Sequence, residues 1–502
     1  MKLVTAESMM NADRAMAESY DYPTILLMEH AAGALFSEME RRGLHKKKIA
    51  IVCGKGNNGG DGYALARILF ERGADVKIIN AFSMVPKGAD AEVNYRICRR
   101  IGVKFAEVSY ISEAEVVVDA LFGIGMNNRL NEFCSEIIEK INKSDAFVVA
   151  VDLPSGAYGD SCVQQNMCVR ADLTVTFAAM KNALVFYPSA ENAGEVVCCG
   201  IGMQDECMKT DSFIINKPLI NELLPKRKPY GHKGTFGRLS CIAGSKGMSG
   251  AAYMCSSAAL RSGCGTIKLY VPECISDIME EKTTEVMTQP LSDGGNGMIS
   301  FAAPEITAAA ATSDAVLFGC GIGRTPEVKE ALKSLVTTSE VPIIIDADGL
   351  FALSQDMDML EDKTCPVILT PHLGEMARMS GDTMEELTEK PLLCASRFAV
   401  KHGVTLVMKS ARTVAAVPDG RTFVNIMGNS GLAKGGSGDV LAGIIASLAA
   451  QGADSLSAAV CGVGIHALSG DISKKKSGSE YSMTPLDLID NLGAAFAEIE
   501  EM

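Results

Sequence analysis

Ile49-Ala50-Ile51-Val52-Cys53-Gly54-Lys55-Gly56-Asn57-Asn58-Gly59-Gly60-Asp61-Gly62 runs from an apolar pentad through a glycine-rich turn into a helical spacing over 63–72. A short apolar run closed by glycine reads as a buried strand, and the periodicity that follows reads as a helix. The pattern recurs downstream. Val76-Lys77-Ile78-Ile79, Val116-Val117-Val118-Asp119 and Phe147-Val148-Val149-Ala150-Val151-Asp152 are strand-like, with helical stretches between them and two further helices expected at 5–18 and 24–42. Strands alternating with helices imply βαβ units and a mainly parallel sheet covered on both faces.

A second series starts after residue 230. Leu239-Ser240-Cys241-Ile242-Ala243-Gly244 opens it, strand candidates follow at 267–271, 315–318, 343–345, 367–369 and 406–408, and apolar helices close it at 437–450, 455–470 and 485–499. Between the series lies Leu224-Pro225-Lys226-Arg227-Lys228-Pro229-Tyr230-Gly231, whose proline and charge read as a boundary. The expected architecture is α/β in two domains, residues 1–215 and 233–502, joined by a linker at 216–232. The glycine motifs of the two halves differ, so they are not repeats of one unit.

The 502 residues are 47% hydrophobic and 22% charged, with a net charge of −14. This is the composition of a globular protein, and its acidity argues against a nucleic-acid partner. No uninterrupted apolar run reaches the roughly 18 residues that span a bilayer, and the start Met1-Lys2-Leu3-Val4-Thr5-Ala6-Glu7 lacks a signal-peptide core. The expectation is a cytoplasmic protein without a membrane partner. None of the 16 cysteines forms a Cys-x-x-Cys pair, so buried reduced thiols are expected rather than disulfides or zinc.

The first glycine turn contains Gly-x-Gly-x-x-Gly, but the second strand ends in Asn80-Ala81-Phe82, without the acid a dinucleotide ribose requires. Asn57, Asn58 and Asp61 crowd the loop with side chains that a pyrophosphate cradle does not need. Two other strand ends, Asp119-Ala120-Leu121-Phe122-Gly123-Ile124-Gly125 and Asp152-Leu153-Pro154-Ser155-Gly156, point to the same crevice. Singly, each acid is an ordinary cap or turn residue. Together they mark a site, and Asn58, Asp119 and Ser155 offer hard oxygens to a cation.

The longest signal is Gly428-Asn429-Ser430-Gly431-Leu432-Ala433-Lys434-Gly435-Gly436-Ser437-Gly438-Asp439-Val440-Leu441-Ala442-Gly443, a glycine turn running into an apolar helix. Backbone N–H groups at such a helix start cradle phosphate oxygens. Asp439 in the first turn is placed to take a proton from an attacking hydroxyl. No Walker loop is present.

The first set of motifs resembles NAD(P)H-hydrate epimerases. The second resembles the ribokinase-like superfamily, and within it the ADP-dependent NAD(P)H-hydrate dehydratases. His232-Lys233-Gly234, Gly244 to Ala252, Gly319-Cys320-Gly321-Ile322-Gly323, Asp346-Ala347-Asp348-Gly349-Leu350 and Thr370-Pro371-His372-Leu373-Gly374-Glu375 extend that likeness. It implies a Rossmann-like three-layer N-terminal domain and a ribokinase-like C-terminal one.

For the epimerase, the resemblance implies hydrate binding by Asn57, Asn58, Gly59, Gly60, Asp61, Gly123, Ile124, Gly125, Met126, Asn127, Asn128, Arg129 and Asp152. It also implies potassium at Asn58, Asp119 and Ser155, and we expect acid–base help from Asp152. For the dehydratase, it implies hydrate binding by Ala251, Gly323, His372 and Asp439, and ADP binding by Lys409, Ser410, Ala411, Arg412, Thr413 and Gly438, with Asp439 as base. Ser410 stands where the resemblance leads one to expect glycine, and Leu373 where one expects proline. Magnesium is expected with ADP. Lys409 could add charge, although a surface lysine is ordinarily just solvated. His372 could equally be a structural histidine.

The implied substrates are NADH hydrate, NADPH hydrate and ADP, and the sequence is compatible with a homo-oligomer. Two alternatives stay open: a small-molecule kinase carried by the C-terminal half alone, and a non-catalytic N-terminal binding module.

Overall fold

In a computed structural model of the chain, residues 1–125, 130–163, 167–300 and 302–501 are described. They form two compact units, Met1–Ser212 and Phe213–Met502.

The first unit is built on a seven-stranded sheet. Its strands lie in the order Lys104–Phe105, Val76–Asn80, Ile49–Cys53, Val116–Ala120, Phe147–Val151, Leu173–Phe177 and Glu195–Cys199, and every pairing is parallel. The expected run of strands is present. The inner strand Leu173–Phe177, fully buried, and the edge strands Lys104–Phe105 and Glu195–Cys199, partly exposed and polar in places, had not been read from the sequence. Side chains alternate as a pleated strand requires. Ile49, Ile51 and Cys53 enter a core with the helices Ala6–Ser19, Thr24–Arg41 and Asn57–Glu71. Ala50 and Val52 enter the opposite core with the helix Glu132–Lys143. The chain leaves the central strand Ile49–Cys53 toward one edge and returns on its other side at Val116–Ala120. That reversal opens a crevice at the carboxyl ends, where α/β sheets bind ligands. The loops there touch: a Cβ on Gly54 would lie 1.9 Å from the Leu121 carbonyl oxygen. A separate parallel pair, Leu3–Val4 with Met180–Lys181, pins the N-terminus beside the same crevice.

The second unit carries a ten-stranded sheet. Its six parallel pairings join Met287–Leu291, Thr266–Pro272, Arg238–Ile242, Ala315–Phe318, Ile343–Ile345, Val367–Leu369 and Thr405–Met408 in that order. The strands Val414–Ala416 and Thr422–Asn425 continue it antiparallel. Both are too short to announce themselves in sequence, and so is the edge strand Ser212–Ile215. One face is covered by the helices Ser249–Arg261, Ser437–Ala450, Ser455–Ser477 and Pro485–Glu500. A Cβ on Gly443 would sit 2.2 Å from the Cys255 carbonyl oxygen, so glycine lets the first two of these helices meet backbone to backbone.

The stretch 216–232 is not wholly a linker. Lys217–Leu223 is a helix capped by Asn216, and its Ile220 is fully buried in the core of the second unit. Prolines that read as linker punctuation also start helices and flank them, and Pro218 does the former here.

Ser455–Ser477 is long and apolar enough to cross a membrane, but 83% of its apolar window is buried within the protein. Its three lysines sit in the last turn. All 16 cysteines are free thiols, and all but Cys198, Cys199 and Cys274 are buried.

Candidate active sites

A cavity of about 700 Å³ opens at the crevice of the first unit, and Asn57, Asn58, Asp61, Gly123, Ile124 and Asp152 line it. Asn57 to Asp61 form the first turn of the helix Asn57–Glu71. A Cβ on Gly59 would meet the Gly54 carbonyl oxygen at 2.2 Å, and one on Gly60 would meet Met28 and Ala91. These glycines are packing necessities that let the loop fold back over the strand end. Gly125 also borders the cavity, whereas Met126, Asn127, Asn128 and Arg129 lie outside the described residues.

Asp119 is fully buried at the end of its strand. It accepts from the Ser155 hydroxyl at 2.6 Å, the Ser155 N–H at 2.7 Å and the Leu121 N–H at 3.2 Å. Burial pushes it up to about 6, against those hydrogen bonds. The Asn58 side-chain nitrogen is buried and finds no partner among the described residues. That nitrogen is a hydrogen-bond donor and no cation ligand. The Asn58 carbonyl Oδ1, which lies against Gly123, the Asp119 carboxylate and the Ser155 hydroxyl are hard oxygens carrying one negative charge, a set that suits a cation of low charge.

Asp152 takes a left-handed backbone, φ +64. A non-glycine residue held there is strained, and such strain persists where surrounding structure enforces it. Here the carboxylate is fixed by Thr176 Oγ1 at 2.9 Å and Lys181 Nζ at 2.6 Å. Lys181 is 1% exposed, and its other donors go to Thr176 Oγ1 at 2.8 Å and the Phe177 carbonyl at 2.9 Å. Asp61 and Asp13 share the same wall of charge. Burial, then Asp152 and Asp13, push Asp61 well above the carboxylate range. Burial, then Asp152, push Asp13 up to about 6 against Lys181. Sequence reading missed Lys181 and Asp13. A lone lysine inside the apolar run Val175 to Val185 was the available signal for the first.

In the second unit the long glycine-rich turn ends at the start of the helix Ser437–Ala450. Gly436 before it has φ +99, and Asp439 lies in the first turn. Ser437 Oγ is 3.1 Å from His466 Nε2, and burial drives His466 down to about 4. It is therefore a neutral partner that steadies the turn. Burial, reinforced by Asp346, pushes Asp439 up to about 6, against Cys320 and Lys409.

Facing Asp439 is Asp346, which is 1% exposed. It accepts from Thr370 Oγ1 at 2.7 Å, Lys409 Nζ at 2.7 Å and the Cys320 thiol at 3.7 Å. The strand end that carries it continues into Ala347 at φ +49, a second strained residue at a site. Asp348 then takes the Gly323 N–H at 3.0 Å and the Arg324 guanidinium at 2.7 Å.

Lys409 is not a solvated lysine. Burial works against its charge, but Asp346 prevails and holds the ammonium above its ordinary range. A Cβ on Gly438 would be 3.1 Å from Lys409 Nζ, so the ammonium stands over the helix start. The rest of its loop holds itself together, with the Arg412 N–H on Ser410 Oγ at 3.1 Å and Thr413 Oγ1 on the Ser410 carbonyl at 3.3 Å.

His372 caps the helix Leu373–Ser380, its Nδ1 accepting from the Gly374 and Glu375 N–H groups at 3.0 and 3.3 Å. Its exposed ring edge faces Glu375 at 3.4 Å. Ala251 lies in the first turn of Ser249–Arg261 and packs where a Cβ on Gly321 would be. Sequence reading singled out neither Asp346 nor Cys320 as a site residue.

Comparison with known proteins agrees with this two-site organisation. Residues 239–493 match a family described as NAD(P)H-hydrate dehydratase. Residues 24–183 match one described as YjeF-related protein N-terminus. The bifunctional NAD(P)H-hydrate repair enzyme of Moorella thermoacetica is 37% identical, over 100% of this chain and 98% of its own length. The Escherichia coli protein of the same name is 30% identical, over 97% of this chain and 92% of its own. Among solved structures, a ribokinase-like superfamily protein of Enterococcus faecalis aligns with TM-score 0.50 and 26% identity, covering 58% of this chain and 97% of that one. By full-length likeness over both units, the chain belongs to the bifunctional NAD(P)H-hydrate repair enzyme family.

Proposed function

We propose that the chain repairs hydrated NADH and NADPH in two steps. The unit Met1–Ser212 interconverts the R and S hydrates, and the unit Phe213–Met502 dehydrates the S hydrate with ADP. The observation that carries the second step is Asp439 at a glycine-rich helix start, facing Lys409 and Asp346. Asp439 takes the proton of the ring hydroxyl as that oxygen attacks the terminal phosphorus of ADP. Lys409 and the helix N–H groups hold the charge that builds on the phosphoryl oxygens. Loss of phosphate from that ring carbon, with a proton from the adjacent one, then restores the reduced nicotinamide, leaving AMP and phosphate.

Cys320, Asp346 and Asp439 lie within 4.8 Å of one another. Asp346 is already neutralised by Lys409, and a thiol is a poor ligand for a hard cation. Magnesium is therefore assigned to the ADP phosphates rather than to a resident protein site, where it would neutralise their charge. Potassium is assigned to Asn58, Asp119 and Ser155, where it would offset the buried carboxylate and order the loop beside the hydrate. Asn57 to Asp61, Gly123 to Gly125 and Asp152 are the hydrate's contacts in the first unit. Ala251, Gly323 and His372 are its contacts in the second, with the 409–413 loop and Gly438 left to ADP.

The test is acid-generated NADH hydrate, both epimers, with magnesium and ADP or ATP, followed at the absorbance of reduced nicotinamide. Full recovery of both epimers with ADP is expected. Recovery of only the S form would remove the epimerase, and no recovery with either nucleotide would remove the whole reading.

A further inference from the structure

Among the described residues, the cavity of the first unit holds more acidic than basic side chains. Asp13, Asp61 and Asp152 line it with one buried ammonium, Lys181, which donates to Asp152, Thr176 and the Phe177 carbonyl. That leaves Asp13 and Asp61 without it as a hydrogen-bond donor. Asp90 and the exposed Lys55 are the other charged groups on the cavity wall among the described residues.

Asp13 does not reach this place by accident of a flexible terminus. Leu3–Val4 pairs with Met180–Lys181, which ties the chain directly to the strand that carries the ammonium. Thr5 then caps the helix Ala6–Ser19, whose Met9, Ala12 and Met16 are buried in the core. That anchoring holds Asp13, one residue beyond Ala12, at the cavity.

The chemistry of the substrate gives such an acid a task. Reduced nicotinamide is an enamine, so hydration puts the hydroxyl on the ring carbon beside nitrogen. Inversion of that carbon by exchange of its hydroxyl breaks the C–O bond and re-forms it on the other face. The nitrogen lone pair forms the C=N bond as the hydroxyl accepts a proton and leaves as water. Water then adds to the opposite face and releases a proton to solvent, which restores the proton first given up. No oxidant or further reactant is needed.

We propose that Asp13 is a catalytic residue of the epimerase, the carboxylic acid that gives the ring hydroxyl its proton as it leaves; the water that adds on the opposite face sheds its proton to solvent, from which Asp13 is reprotonated. This rests on the epimerase reading of the cavity. Burial and the Asp152 charge, which hold Asp13 up to about 6, keep a protonated fraction available near neutrality. Asp152, held by Lys181 and Thr176, faces the cationic ring nitrogen that forms in between.

The experiment uses the full-length chain and the R hydrate, comparing wild type with Asp13→Asn and Asp13→Glu. It reads kcat and KM for epimerisation, the pH profile, and uptake of heavy oxygen from labelled water into the hydrate. Dehydration of the S hydrate with ADP and the melting curve report folding. In Asp13→Asn, kcat falls about 100-fold or more with KM little changed, heavy-oxygen uptake falls in parallel, and the limb that declines above about pH 6 disappears. Asp13→Glu recovers part of the rate. Wild-type kcat in Asp13→Asn overturns the inference, and so does a loss of rate that leaves the pH limb in place. A wild-type chain that dehydrates but does not epimerise overturns the underlying reading, and this inference with it.

Discussion

Replacing Asp439 with asparagine separates what this carboxylate does for the reaction from what it costs the fold. The amide keeps the shape but cannot take a proton, so dehydratase kcat should fall by about 10²–10⁴, the usual range for a general base. In the wild type, kcat/KM should fall as pH drops through about 6, where Asp439 becomes protonated, reaching roughly a tenfold loss one pH unit below.

Stability runs the other way. The unfolded chain ionises this group at its ordinary 3.8, and the folded chain only at about 6. Between those values the native state binds more protons, so stability falls as pH rises and the full cost stands above pH 6. The interval is worth about 3 kcal/mol, and water at the open side of the carboxyl reduces it to about 1–3 kcal/mol. At pH 8 the Asp439→Asn variant should therefore melt roughly 2–8 °C above wild type, and at pH 4 the two should nearly coincide. Scanning calorimetry at both pH values, alongside the absorbance assay, is the measurement. A variant that keeps a tenth of the wild-type rate, or melts lower at pH 8, would refute the assignment of Asp439 as a buried, functionally strained base.

Gly59→Ala puts a Cβ 2.2 Å from the Gly54 carbonyl oxygen, whereas Gly56→Ala meets nothing within 4 Å. The first should abolish epimerisation at a cost of about 1–3 kcal/mol, the second should leave it near wild type, and dehydration should survive both when the activities are assayed separately. Chelating divalent ions with EDTA should stop dehydration and spare epimerisation, while exchanging potassium for lithium should slow epimerisation alone, as initial rates would show. His466 protonates at about 4 when folded rather than 6.5, so the unfolded state binds more protons between those values. His466→Gln should flatten the loss of stability over that interval by up to about 3 kcal/mol, read from denaturant melts.

The parts of the sites that lie within one stretch of chain could be read from sequence. The loops Gly54–Gly62 and Gly428–Asp439 each carry strand end, turn and helix start in a few residues, so local pattern and glycine spacing reveal them. What could not be read was convergence. Lys409 meets Asp346 across 63 positions of chain, and only the adjacency of the strands Ile343–Ile345, Val367–Leu369 and Thr405–Met408 brings them together. Alone, each is an ordinary charged residue. Asp13 gives even less sign of itself, because a helix with one acid near its buried stripe is a common surface helix, and only the pairing of Leu3–Val4 with Met180–Lys181 turns it inward. The helix Lys217–Leu223 was obscured by the prolines and charges of the boundary segment that follows it.

The distribution of thiols gives the chain a built-in label site. Cys274 is exposed, while the others are buried or half-buried in the folded protein. Its thiol is pushed up, first by partial burial and then by Asp293, so it reacts slowly at neutral pH and faster in mild alkali. A fluorophore added there to the native protein would mark chiefly the second unit, without prior removal of any cysteine. Unfolding of either unit would uncover the thiols buried in it, so the stoichiometry of dye uptake itself reports how much of the chain has opened.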